Sequence, residues 1–105
     1  MQVHFKGWEC NLEFSKYSNG RTAITLIDAK TNEPIAKATI NIPEVPLFPD
    51  EVIIKDHDEN EGMVAALIKA GIIIQPFDRC KSGYSTYQMC SLVNGLWDVP
   101  LSNLE

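Results

Sequence analysis

Residues 7–17 (GWECNLEFSKY) alternate with a period of two: Trp8, Cys10, Leu12 and Phe14 fall on one face, Glu9, Asn11, Glu13 and Ser15 on the other. A helix would spread those apolar side chains around its circumference, so the pattern specifies a strand with one buried and one solvated face. A lone strand leaves its backbone donors and acceptors unpaired, so neighbours must follow. The next residues, Ser18-Asn19-Gly20, carry the Asn-Gly turn signal, where positive φ costs least. Residues 21–28 (RTAITLID) read as the returning strand and 29–34 (AKTNEP) as a second polar turn. Residues 35–42 read as a third strand, with Ala36, Ala38, Ile40 and Ile42 inward and Lys37, Thr39 and Asn41 outward. The first 42 residues are therefore expected to form a three-stranded antiparallel meander with one solvated face.

Pro43, Pro46 and Pro49 each remove a backbone donor, so residues 43–51 are a connector or run along a sheet edge. Residues 52–56 (VIIKD) suit a short strand. The period then changes: Val64, Leu67, Ile68 and Gly71 recur at helical spacing, and Gly71 is placed to end that helix. Residues 72–77 (IIIQPF) read as a buried strand broken at Pro76, and residues 84–93 as another after a Lys81-Ser82-Gly83 turn. Leu96, Trp97, Val99, Leu101 and Leu104 follow without clear period; Trp97 reads as core or as an anchoring patch. The expected fold is α+β, a mostly antiparallel sheet with one covering helix, in a single domain over residues 1–105.

Charge is distributed unevenly along this chain. Residues 50–61 hold Asp50, Glu51, Asp56, Asp58, Glu59 and Glu61 against Lys55, which accounts for the whole net charge of −5; elsewhere eight acids balance eight bases. A neutral body with one acidic segment is a poor ligand for a phosphate backbone, so direct nucleic-acid binding is disfavoured. No apolar run approaches the roughly 20 residues of a membrane span. The N-terminus has no basic segment leading into an apolar one, and three cysteines without C-x-x-C spacing suit a reducing compartment. A soluble intracellular protein is expected.

The acidic segment admits three readings. A calcium loop would use Asp56, Asp58 and Asn60 at its first three ligand positions, but the glycine falls one residue late at Gly62 and the closing glutamate position holds Leu67. His57 has only His4 as a second histidine and no cysteine at ligand spacing, so no metal site is expected. A helix start fits better, with Asp58 as N-cap, Glu61 three residues on in a capping-box-like pair, and Gly62 inside the first turn. Capping leaves Asp50, Glu51 and Asp56 unexplained, which points to a surface that meets a basic partner. The partner-binding set is accordingly Asp50, Glu51, Asp56, Asp58, Glu59 and Glu61.

Catalytic signatures are weak. Residues 79–86 (RCKSGYST) lack the spaced glycines and Gly-Lys-Ser/Thr ending of a phosphate-binding loop and read as a hairpin turn. Cys10, Cys80 and Cys90 have no local histidine partner, and carboxylates crowded at a solvated helix start are badly placed to raise a pKa. Neither an enzyme nor a cofactor is expected.

Residues 17–92 resemble a family of small single-domain proteins found in phages and conjugative elements of gut bacteria. The resemblance rests chiefly on Tyr17-Ser-Asn-Gly-Arg21, Thr39-Ile-Asn-Ile-Pro43 and Ser82-Gly-Tyr84. It carries no catalytic residues and implies a genetic context, in which small acidic proteins often inhibit host defence, as anti-CRISPR proteins do. The resulting expectation is a non-enzymatic inhibitor in the bacterial cytoplasm that docks its acidic segment on a basic nucleic-acid-binding host protein. The alternative is a structural or regulatory accessory protein that homodimerises through a sheet edge or its apolar tail.

Overall fold

The computed structural model describes residues 2–93. Seven strands and one short helix are arranged as two antiparallel sheets, so the fold is α+β and mostly antiparallel β. The first sheet has the order β1 (Gln2–Phe5), β2 (Trp8–Lys16), β3 (Thr22–Asp28), β4 (Pro34–Lys37). The second places β7 (Ser85–Ser91) between β5 (Glu51–Ile54) and β6 (Asp78–Ser82).

The meander therefore has four strands, not three. The additional strand β1 folds back through a two-residue loop, Lys6-Gly7, whose φ values of 49° and 84° are those of a twist-matched hairpin turn. It buries Val3 and Phe5. Trp8, expected inward with Cys10, is instead 44% exposed beside that loop. Ser15, expected outward, is buried with its cross-strand neighbour Ala23.

Beyond β4 the chain stitches the two sheets together. The Ala38 N–H donates to Ile24 O on β3 at 2.9 Å, the Lys55 N–H to Ala38 O at 3.0 Å, and the Ile40 N–H to Ile53 O at 3.0 Å. Thr39 was expected to face solvent. It is 4% exposed, and its Oγ1 accepts the Ile24 N–H at 3.1 Å where the β3 ladder would otherwise be broken.

Helix α1 (Met63–Lys69) lays Met63, Val64 and Leu67 into the core with Val3, Phe5, Ile24, Leu26, Ile54 and Cys90. It ends as its sequence predicts: Gly71 takes φ 78°, the Ile72 N–H donates to Leu67 O and the Gly71 N–H to Ile68 O. That pair of bonds satisfies the last carbonyls and requires the left-handed conformation a glycine adopts cheaply. After it, Ile72 and Ile73 are buried, but Ile74 and Phe77 are exposed, so residues 72–77 form one bridge, Ile73 to Leu92, rather than a strand. A second cluster of Ile42, Ile53 and Tyr87, joined by Val45, Leu47 and Cys80, covers the other face of β5. The tail around Trp97 lies outside the described residues.

Candidate functional site

Strand β5 divides the acidic segment in two. Val52, Ile53 and Ile54 are buried, leaving Asp50 and Glu51 at one end and Asp56, Asp58, Glu59 and Glu61 at the other. Five residue steps of extended chain from Glu51 to Asp56 span roughly 16 Å, beyond the screening length of about 8 Å at physiological salt. The structure thus gathers four of the six acids into one corner.

Several of these carboxylates already have work inside the molecule. Glu51 Oε1 accepts the Phe48 N–H at 2.8 Å and closes the turn that leads into β5. Asp56 Oδ1 accepts the Val64 N–H at 3.1 Å, satisfying a free donor in the first turn of α1. Asp56, six residues upstream of Gly62, therefore supplies the cap expected from Asp58. Gly62 is the N-cap residue itself, with φ 93°, and not part of the first helical turn; an added Cβ would meet open space, so its backbone angle explains the glycine.

Asp58 opens a separate 3-10 turn, Asp58–Asn60, with φ 53°, a left-handed conformation that aspartate tolerates better than most residues. Its carboxylate is 76% exposed and lies 3.9 Å from His57 Nε2. The turn is anchored by Asn60, buried at 3% exposure, whose Nδ2 donates to Lys37 O at 2.8 Å. Glu59 is 68% exposed and accepts from Lys55, which holds its carboxyl below the ordinary carboxylate range and raises the Lys55 ammonium in turn. Lys6, from the β1–β2 loop, donates to Glu59 O at 2.8 Å. The Glu61 side chain is exposed without a hydrogen bond or ion pair among the described residues; its backbone N–H donates to Asp58 O at 3.1 Å, but the two side chains do not form the reciprocal capping pair expected of them.

This arrangement argues against the calcium loop on positive grounds. Asn60 is turned into the protein, its Nδ2 bonded to Lys37 O, and one oxygen of Asp56 is committed to Val64, which leaves few of the ligand positions free for a shared ion. Among the described residues no three histidines, cysteines or acids come together to hold a metal. Burial raises all three thiols: Cys10 and Cys80 with help from Asp28 and Asp78, and Cys90 to about 12, where Asp56 adds to the effect. A thiol pushed that way is a poor nucleophile.

Two features escaped the sequence reading. One is Lys6, which reaches the acidic corner from 53 residues away. The other is β6, an outer strand carrying Arg79 and Lys81, which alternates charged and small residues and so has no apolar signal. No protein-family model, curated protein or solved structure matches the chain.

Proposed function

We propose that the protein is a non-enzymatic interaction protein whose acidic corner, Asp56 to Glu61, docks on a basic surface of a partner. The observation that carries this reading is the 3-10 turn. Asp58 and Glu59 project into solvent from backbone fixed by buried Asn60, with Asp58 at a φ of 53°. Charges presented on a fixed frame lose little freedom on docking, which favours association. Asp58, Glu59 and Glu61 are the docking charges; Glu51 and Asp56 act mainly within the fold.

The resemblance to proteins of phages and conjugative elements supports a bacterial host cytoplasm as the setting and a nucleic-acid-binding host protein as the partner. Such a protein has a basic channel, and filling it with carboxylates would inhibit it. No helix among the described residues is long and apolar enough to cross a membrane.

Affinity capture from a bacterial host lysate tests the reading, with the wild type and the Asp58→Asn, Glu59→Gln, Glu61→Gln variant as baits. These replacements keep side-chain shape, and Asn tolerates the Asp58 backbone angle. A basic protein retained by the wild type and lost from the variant is the expected result. Identical captured sets from both baits would overturn the acidic-corner reading.

A further inference from the structure

Among the described residues β6 pairs only with β7, so its other edge is open. The β6–β7 hairpin has a two-residue loop, Gly83-Tyr84, closed by Ser82 opposite Ser85; only Gly83 has positive φ, and Tyr84 is fully exposed at the tip. Residues flanking such a loop form a hydrogen-bonded pair. By alternation Ser82, Cys80 and Asp78 bond to β7, while Arg79 and Lys81 aim their backbone groups outward. The Arg79 N–H agrees with this, since it donates to Asp78 Oδ1 at 2.8 Å.

The side chains alternate in the same rhythm. Cys80 packs inward on the cluster of Ile42, Ile53 and Tyr87, so Arg79 and Lys81 stand on the opposite face. Both are exposed, and neither side chain has a hydrogen bond or ion pair among the described residues. In an acidic chain this edge is locally basic.

A second copy is the wrong occupant. In a two-fold pairing that continues the sheet, facing residues share a face, so odd-numbered positions meet odd-numbered ones. Every register that overlaps the centre of β6 therefore sets Arg79 against Arg79, Arg79 against Lys81, or Lys81 against Lys81, and never against Asp78. Like charges directly opposite destabilise a strand pair. The edge repels itself and suits a strand of opposite charge.

We infer that β6 captures an extended strand of another protein bearing carboxylates at alternate positions. The strand hydrogen-bonds the Lys81 backbone and sets two acids, two residues apart, against Arg79 and Lys81. Main-chain bonds supply affinity, and the paired charges supply selectivity. This site is separate from the acidic corner and uses none of its residues.

Amide NMR titration of the full chain with short synthetic peptides tests it. The probes are an alternating Thr-Glu peptide, its Thr-Lys counterpart, and a Thr-Glu peptide whose glutamate amides are N-methylated. The Thr-Glu peptide should shift the Arg79 to Ser82 amides saturably and slow hydrogen exchange at Lys81. The N-methylated peptide, whose glutamates lack the backbone donor that faces Lys81, should bind more weakly. Arg79→Glu with Lys81→Glu should weaken Thr-Glu binding about tenfold, as exposed attractions become repulsions, and favour Thr-Lys. Retained binding is expected in the Asp58→Asn, Glu59→Gln, Glu61→Gln variant. No saturable shift at β6, equal binding of both charge types, or full binding of the N-methylated peptide would overturn the inference.

Discussion

The hydroxyls of Tyr17 and Thr39 lie 2.9 Å apart, joining the β2–β3 loop to the segment that stitches the two sheets. This contact is the first rung of a ladder. Asn19 Nδ2 donates to Asn41 Oδ1 at 3.1 Å, and the Arg21 guanidinium donates to Ile42 O at 2.8 Å and to Val45 O. The segments spanning residues 17–21 and 39–43 thus face each other across the fold. Their residues lock the proline-rich connector, which has few backbone bonds of its own.

Arg21 should be the strongest rung, because one planar fork donates to two connector carbonyls at once. Arg21→Ala is expected to cost about 1.5–3 kcal/mol in urea unfolding. Arg21→Lys should recover little of it, since an ammonium cannot span two carbonyls in fixed geometry. Tyr17→Phe should cost about 1 kcal/mol, because Thr39 Oγ1 keeps the Ile24 N–H. Full recovery by lysine would mean that charge alone, and not the fork, holds the connector.

At the helix start, Asp56→Ala should lower stability by about 0.5–2 kcal/mol, the range for losing a capping carboxylate. Asp58→Asn should stay within about 0.5 kcal/mol of the wild type, because the side chain is exposed and the backbone angle suits both residues. The reverse order of effects would place the cap back at Asp58.

Thr22 is 3% exposed, and its Oγ1 has no hydrogen-bond partner among the described residues. An orphaned buried hydroxyl costs about 1–3 kcal/mol. Thr22→Val keeps the branched shape and should raise the melting temperature. A clear fall would show that the hydroxyl has a partner.

The strands were legible where one face was wet and the other dry. Cys10, Leu12 and Phe14 alternate over a long strand, and Gly71 marks the helix end in the residue type its backbone angle demands. Strand β1 was not legible, because Val3 and Phe5 are two apolar residues in four, too few to establish a period. β6 was obscure for another reason: an outer strand with only Cys80 half-buried has almost no dry face. The acidic corner was visible as composition but not as geometry. Asp58 and Glu61 match a capping pair by spacing, while the real cap, Asp56, depends on a chain reversal through the 3-10 turn that no local pattern announces. Thr39 reads as a surface residue by alternation and is buried because its hydroxyl completes a tertiary hydrogen bond.

Alkaline pH offers an independent check on the core. Cys90 is fully buried, and its thiol is pushed up from the usual 9.0 to about 12. A raised folded-state value means that folding favours the protonated thiol. Its contribution is complete below pH 9 and is lost progressively between pH 9 and about 12. Cys90→Ala should therefore flatten the fall in melting temperature over that window. Iodoacetamide at pH 8 should label half-buried Cys80 first and leave Cys10 and Cys90 until the protein unfolds. Early labelling of Cys90 would contradict its placement.

The most direct test of the acidic-corner proposal is the rate of association with the basic protein that capture retains. Stopped-flow measurements should compare the wild type with the Asp58→Asn, Glu59→Gln, Glu61→Gln variant from low to physiological salt, after circular dichroism shows both folded. Complementary fields act chiefly on the on-rate, so neutralising three exposed charges should slow association by about tenfold at low salt. The wild-type rate should fall as the screening length shortens to about 8 Å, and the two proteins should converge. Equal rates for both proteins, insensitive to salt, would contradict docking through the acidic corner.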